Sequence, residues 1–413
     1  MTGWRVTGGA AWCVAGLALA AACADDAASP PGAVAITERD SADVHLVDVR
    51  YLDRSRLPTW RLADGAALQV GTVDGPAGTR LYRVRDAVRL SDGRLVVADG
   101  GSSQLRFFAA DGTFLSAAGR EGDGPGEFRS LGRLARMPGD SILAYDARLH
   151  RVSVFSPTGR LARSYTIDMN GGFLLPVGAF PDGALLMRHD ARDDVEGPGG
   201  VRPDALMLRV AGDGRRDTIA SLPGSEATLH EDAGLAAGRP TLFGRTAVAT
   251  VAPAGATGYA VLATTDVYGF TVYGPGGPTT IVRVESDPRP IPVGRFDEVV
   301  DSILATSSND RFRKFWRGLF DRMPRHATYP AFLDLAADAA GRVWVEEISD
   351  DAERPRRWTV FEQGRPIAVV ETPRALEILE FGRDEVVGLE RDELETERVV
   401  SYPLRTGPAA LPP

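Results

Sequence analysis

Lysine is almost missing from this chain: of 47 basic residues only Lys314 is a lysine. We read that bias as genomic and not functional. Cysteine occurs twice, as Cys13 and Cys23, and asparagine only as Asn170 and Asn309. Two cysteines allow at most one disulfide, and cleavage at Cys23 would leave none to pair with it, so stability must then come from packing and ladder hydrogen bonds. The five histidines, His45, His150, His189, His230 and His326, occur in no HxH or HExxH spacing, and no CxxC is present. The spaced zinc motifs are therefore excluded, although single ligands from distant segments could still converge. No GxSxG elbow is present either. Positive charge is in deficit, with a formal net charge of −9. Scattered arginines on an acidic chain exclude nucleic acid as the expected partner, because that partner demands a concentrated basic face. The longest apolar run, Ala10 to Ala22, spans only ~20 Å as a helix, too short for a ~30 Å hydrocarbon core.

What is present begins with an address. Arg5, that apolar run and the small residues Ala20 to Ala22 make a secretory signal over 1–22. Cys23 follows directly, and the arrangement resembles a bacterial lipoprotein signal, in which this cysteine is lipidated and becomes the new N-terminus. One place departs from that pattern: Leu19 lies four residues before Cys23, not three. Ordinary cleavage nearby would instead release a secreted protein. The lipoprotein resemblance implies a cell-envelope protein, at the periplasmic face of an outer membrane, held to the membrane by its anchor. The small, acidic, Pro-containing stretch 23–33 has the composition of a flexible tether.

The rest of the chain repeats. SDGRLVVADGGSSQLRFFAADGTFLSAAG, from Ser91 to Gly119, aligns with PGDSILAYDARLHRVSVFSPTGRLARSYT, from Pro138 to Thr166. Asp99 falls on Asp146, Phe108 on Phe155 and Gly112 on Gly159 at one constant offset. Each unit reads as turn, strand, loop, strand, two-residue turn, strand, with a further strand before it (Ala87 to Leu90; Gly132 to Met137). Four strands at a period in the forties is the signature of a propeller blade. The expected fold class is all-β, a six-bladed β-propeller over 59–405, with a tail at 406–413. The third blade carries an acidic Gly-rich insertion around Asp193 to Gly200. The sixth borrows its missing strand from TWRL or LQVGTV between Thr59 and Val73. Residues 34–58 are expected to lie along the outside.

GREGDGPGEF, Gly119 to Phe128, joins one blade to the next. It has no Lys-Ser/Thr pair and no following helix, so it is not a phosphate cradle, and its acids lack a calcium-loop frame. Glycines and Pro125 serve a turn. Together with the VAD…LRFF and AYD…RVSVF strands, this stretch resembles the NHL-type repeat of six-bladed propellers, well over Arg83 to Ile167 and fairly over Tyr329 to Leu404. The resemblance implies a binding platform, and in some relatives a metal-dependent lactonase or lyase. It also implies that Asp146 and Arg151 brace a loop, with Asp146 accepting amides and Arg151 pairing with it.

The interblade loop and the loop between second and third strands open on one face. That face should gather Asp99, Arg120, Glu121, Asp123, Asp146, His150 and Arg151 as a candidate ligand site. An amphipathic helical insertion is expected at about 293–324, between blades four and five, with Phe312, Phe315, Trp316, Leu319, Phe320 and Met323 on one side of its second helix. Arg313, Lys314, Trp316 and Arg317 are candidates to face a partner or membrane, against the simpler reading of a helical hairpin packed on a blade. The expected function is non-catalytic binding of a protein or glycan partner at the loop face. No cofactor is expected. The alternative is a metal-dependent hydrolase or lyase at the central channel, using calcium or zinc.

Overall fold

The computed structural model describes residues 34–169, 174–190, 199–232, 234–253, 255, 257–306, 309–349, 351 and 353–406. The signal segment, Cys23, the tether and most of the acidic insertion from Asp193 lie outside the described residues.

The described chain is mostly strand, in four-stranded antiparallel sheets. The first runs Val84–Arg89, Leu95–Asp99, Gln104–Phe108, Phe114–Ala118, and the second Leu131–Arg136, Ile142–Asp146, Arg151–Phe155, Leu161–Thr166. The repeat read in the sequence is a repeat in register. Leu95 pairs with Phe108 and Asp99 with Gln104, as Ile142 pairs with Phe155 and Asp146 with Arg151. Gly112 and Gly159 carry φ of 87° and 83°, the left-handed geometry that lets each two-residue turn follow the twist of its strands.

A third sheet takes Leu174–Ala179, Leu185–Asp190, Asp204–Val210 and Arg216–Pro223, and a fourth Ala247–Ala252, Tyr259–Thr264, Gly269–Gly274 and Gly277–Val284. The fifth is Leu335–Ala337, Val343–Glu346, Arg356–Glu362 and Arg365–Thr372. The last has three C-terminal strands, Glu377–Phe381, Glu385–Arg391 and Glu397–Arg405, and takes Leu68–Val70 as its fourth. Both N-terminal segments named in the sequence reading are used. Thr59–Leu62 lies parallel to Arg365–Thr372 and meets the end of Glu397–Arg405, bridging two sheets.

The core explains the arrangement. An apolar cluster fills the space between each sheet and the next, and the series closes. Val96, Phe107, Phe128 and Phe155 pack between the first two sheets. Trp344, Trp358, Phe381 and Leu404 pack between the last two. Leu68, Val70, Leu95, Phe108, Val387 and Val399 join the last to the first. Sheets packed face to face around an axis in this way form a propeller-type fold.

Residues 34–58 add a hairpin, Ala35–Ser41 with Val44–Tyr51, to the outer edge of the fourth sheet, where Val44–Tyr51 runs parallel to Gly277–Val284. Two features depart from the sequence reading. A three-stranded sheet, Gly199–Val201, Ala227–Asp232 and Leu235–Pro240, stands where only loop and insertion were expected. The helical pair, α1 (Arg295–Ala305) and α2 (Asp310–Asp321), packs with that sheet. The Asn309 side chain caps α2 by accepting the Phe312 amide at 3.2 Å. Phe315, Leu319 and Phe320 are buried, but Phe312, expected on the same apolar side, is 47% exposed.

Leu68 is 3% exposed at the seam between last and first sheets. Leu68→Ala should therefore lower unfolding free energy by about 2–5 kcal/mol in a denaturant titration. Leu394→Ala, at a position 86% exposed, should change it by no more than about 0.5 kcal/mol.

Candidate functional site

Each sheet sends its second-to-third-strand loop and its exit loop to the same end of the axis. The candidate residues of the first two sheets do meet there, but most are occupied. Asp146 is 1% exposed and accepts four main-chain amides: Arg129 at 2.7 Å, Leu149 at 2.8 Å, Ser130 and Arg148 at 2.9 Å. Asp99 accepts the Tyr82 amide at 3.0 Å and the Ser102 hydroxyl at 2.6 Å, and pairs with Arg106 at 2.8 Å. Arg151 does brace the loop, by donating to the carbonyls of Asp123 at 2.7 Å and Glu127 at 2.5 Å. Its partner is main chain and not Asp146, whose lone pairs the amides already fill.

GREGDGPGEF folds onto itself. Arg120 pairs with Glu127, which also accepts the Gly124 amide at 2.8 Å. Gly119 has φ of 85°, and a Cβ there would stand 2.6 Å from the Phe128 ring. Glu121 and Asp123 both pair with Arg129, at 3.1 and 2.8 Å, a residue the sequence reading passed over. The Arg129 guanidinium holds the Asp123 carboxyl below its usual range, and the Gly124 amide and then Arg120 do the same for Glu127. His150 sits at φ 47° with Nδ1 buried and unpartnered.

A second group was not legible in the sequence. The innermost strands line a cavity of about 200 Å³ that includes Asp86, Arg133, Arg136, Thr250, Asp338 and Glu380. An innermost strand has one edge without a ladder partner, and its amides need acceptors. Asp86 spans that gap, accepting its neighbour Ala87 at 2.9 Å and Leu134 of the next sheet at 2.8 Å. Glu380 does likewise, accepting the Arg89 amide at 2.6 Å. Bulges beside both acids aim them this way. Burial pushes Asp86 up to about 6 and Glu380 up to about 7, against the pull of those amides and of arginines. Burial also raises Asp334 and Glu346, partly offset by Arg133 and Arg356 respectively. The channel lining thus sets carboxyls raised by burial near Arg133 and Arg136. Among the described residues no three His, Cys, Asp or Glu side chains converge as a metal set. Asp86 and Glu380 alone do not make the many-oxygen shell that calcium takes.

The third feature is a built-up wall. The excursions at 199–203, 224–246 and 285–334 all leave from the same end as the loop cluster. Arg202 forks onto Asp266 at 2.8 and 2.6 Å, and His326 meets Glu226 at 2.7 Å. His230 stacks on Phe315 with centroids 4.8 Å apart, and Arg239 lies over Trp316 and Phe320. Of the helix candidates, Lys314 and Arg317 are exposed, while Arg313 and Trp316 are half-buried. Arg313 pairs with Asp310, and Arg317 with Asp301 at 3.3 Å. Beside the wall a cavity of about 570 Å³ is lined by Arg54, Arg245, Asp266, Tyr268, Asp287 and Glu347 among others. On its floor Glu347 accepts the Tyr268 hydroxyl at 2.6 Å and Arg54 at 2.8 Å.

No protein-family model and no curated protein matches the chain. Solved structures resemble it in outline. A member of the DUF4221 family from Bacteroides vulgatus is 10% identical at TM-score 0.48, covering 85% of this chain and 100% of that one. Virginiamycin B lyase from Staphylococcus aureus is 10% identical at TM-score 0.40, covering 90% and 100%. Regucalcin, a calcium-binding protein from Agrobacterium tumefaciens, is 12% identical at TM-score 0.35, covering 85% and 98%. Likeness this remote assigns no ligand to this chain.

Carboxyls whose native pKa lies above the unfolded value stabilise the fold when protonated. For Asp86 and Glu380 that contribution is complete below about pH 4 and is lost as pH rises through 6 to 7. Unfolding free energy should therefore fall between pH 5 and pH 8, by on the order of a few kcal/mol. Asp86→Asn with Glu380→Gln should flatten that slope in urea titrations at the two pH values. A native chain equally stable at both would contradict the assignment.

Proposed function

We propose that this chain is an exported, lipid-anchored, six-bladed β-propeller that binds a partner protein or glycan at its loop end, without catalysis. The helical pair is an insertion between the fourth and fifth blades, and the last blade is closed by strands from both chain ends. The observation that carries the reading is the common origin of the long excursions. The three-stranded sheet and both helices rise from one end of the axis and pack on one another, while the opposite end keeps two-residue turns such as those at Gly112 and Gly159. A rigid ring that elaborates one end builds a recognition surface there.

Chemistry supports the location. The cavity beside the wall carries arginines and carboxylates together with Tyr268 and Tyr329, and Val267 lies 69% exposed in its lining. That mixture suits a polar ligand with both donors and acceptors. Export is supported by the signal segment, and no described helix is long and apolar enough to cross a membrane. The alternative, a metal-dependent hydrolase or lyase, would place its chemistry at Asp86 and Glu380 in the channel.

Thermal unfolding separates the two. Short peptides of mixed charge and soluble oligosaccharides should include at least one class that raises the midpoint, with a ligand at 100 times its dissociation constant adding about 2.7 kcal/mol. Val267→Arg, at an exposed position, should abolish that response and leave the ligand-free midpoint within a degree or two. A rise with calcium or zinc alone, reversed by EDTA and indifferent to Val267→Arg, would transfer the function to the channel.

A further inference from the structure

The sheets repeat one contact besides their ladders. In four of them a glycine in the turn between third and fourth strands sits against the outer strands of the sheet before. A Cβ on Gly112 would stand 3.3 Å from the Leu68 side chain, and on Gly159 3.2 Å from the Phe107 ring. On Gly212 it would stand 3.3 Å from the Tyr165 ring, and on Gly364 2.9 Å from Val47. The fourth sheet breaks the pattern. Its turn carries Gly276 and Gly277, and a Cβ on either would meet nothing within 4 Å. Nearer the axis the same seam is filled, since a Cβ on Gly258 would stand 2.6 Å from Pro181. Only the outer half of the seam between the third and fourth sheets is left open, as a cleft of about 710 Å³ at the end of short turns. That end lies opposite the wall.

The cleft is lined by Phe180, Asp182, Arg209, Arg215, Asp217 and Tyr273 among others. Its charges are closed on one another. Arg209 pairs with Asp182, and Arg215 with Asp217 at 2.5 Å. Arg209 is also held in place from below, with its guanidinium carbon 5.0 Å from the centroid of the buried Phe180 ring. It spends only Nη2 on Asp182, so among the described residues Nε and Nη1 carry donors without an acceptor. The half-buried Tyr273 packs its ring on the apolar cluster between the two sheets, while its hydroxyl has no partner among the described residues. A charged ligand would have to open one of the ion pairs or enter without a counter-charge. A neutral ligand bearing both donors and acceptors would not. A pyranose, with hydroxyls at its edge and an apolar face, matches a tyrosine that offers an apolar ring and a polar tip.

We infer that the cleft between the third and fourth sheets is a second binding site, for a short neutral saccharide. The spare Arg209 donors, the Tyr273 hydroxyl and the free lone pairs of Asp182 and Asp217 hold its hydroxyls. The volume lies in the range of small-molecule sites. Donors fixed by a ring below and a carboxylate beside them lose little freedom when the ligand arrives. The site stands apart from the loop-end reading, because the two surfaces share no residue.

Every described contact is made by residues 34–406, so the chain from Ala24 onward serves for titration calorimetry. The probes are maltotriose, cellotriose and triacetylchitotriose, beside the anionic trigalacturonate. At least one neutral trisaccharide should bind, and trigalacturonate should bind more weakly. Tyr273→Phe should weaken the neutral sugar roughly three- to tenfold. It should leave the unfolding midpoint unchanged, because that hydroxyl has no partner in the fold. Arg209→Lys keeps a cation beside Asp182 but removes the planar spare donors, and should weaken binding at least as much. Val267→Arg, at the loop end, should change nothing. No binding of any neutral trisaccharide, tighter binding of trigalacturonate, or affinity indifferent to both cleft variants overturns the inference. Loss of binding in Val267→Arg with the cleft variants silent overturns it too, and would place the sugar at the loop end.

Discussion

A ring of sheets depends on its seams. Within most sheets the ladder joins strands consecutive in sequence, but no sheet covers both of its own faces. Each must bury one face on the sheet before and the other on the sheet after. All but one of those seams join sheets that are neighbours in sequence. The remaining seam joins the last sheet to the first, and the chain closes it by lending Leu68–Val70 and Thr59–Leu62 to its own C-terminal strands. Closure removes an exposed strand edge and places the apolar cluster around Leu95, Phe108, Val387 and Val399 out of water.

The same closure sets the polar interior. Innermost strands from different sheets come side by side without pairing, and their amides are served by acids on the neighbour: Asp86 to Leu134, Glu380 to Arg89. Those acids are buried because the ring is closed, and their pKa values rise for that reason. Channel chemistry and fold stability are therefore one problem. Residues that look like a reactive pair also stitch adjacent innermost strands together, and a proton on either one relieves the desolvation that stitching imposes.

Legibility followed locality. The first two units could be read because Asp99, Phe108 and Gly112 recur as Asp146, Phe155 and Gly159, and each marker does its work within its own unit. The loop acids could be assigned to a common end for the same reason, yet their actual partners could not. Arg151 and Arg129 choose between carboxylates and carbonyls according to which lone pairs are already filled. Strand Leu235–Pro240, LAAGRP, carries too little apolar alternation to announce itself, and it exists because Ala227–Asp232 pairs with it and α2 covers the sheet. Asp86 and Glu380 lie 294 positions apart in an apolar strand context, and only ring closure makes them neighbours.

The claim beneath all of this is that both chain ends form one cooperative unit at the closing seam. Native-state amide hydrogen exchange tests it directly. Closure predicts that Leu68 and Val70 exchange with the same opening free energy as Val399 and Val400, and that both pairs track global unfolding as denaturant is added. Rapid exchange at Leu68 and Val70, with Val399 and Val400 still fully protected, would show that the N-terminal strand merely rests against the ring and would contradict the account.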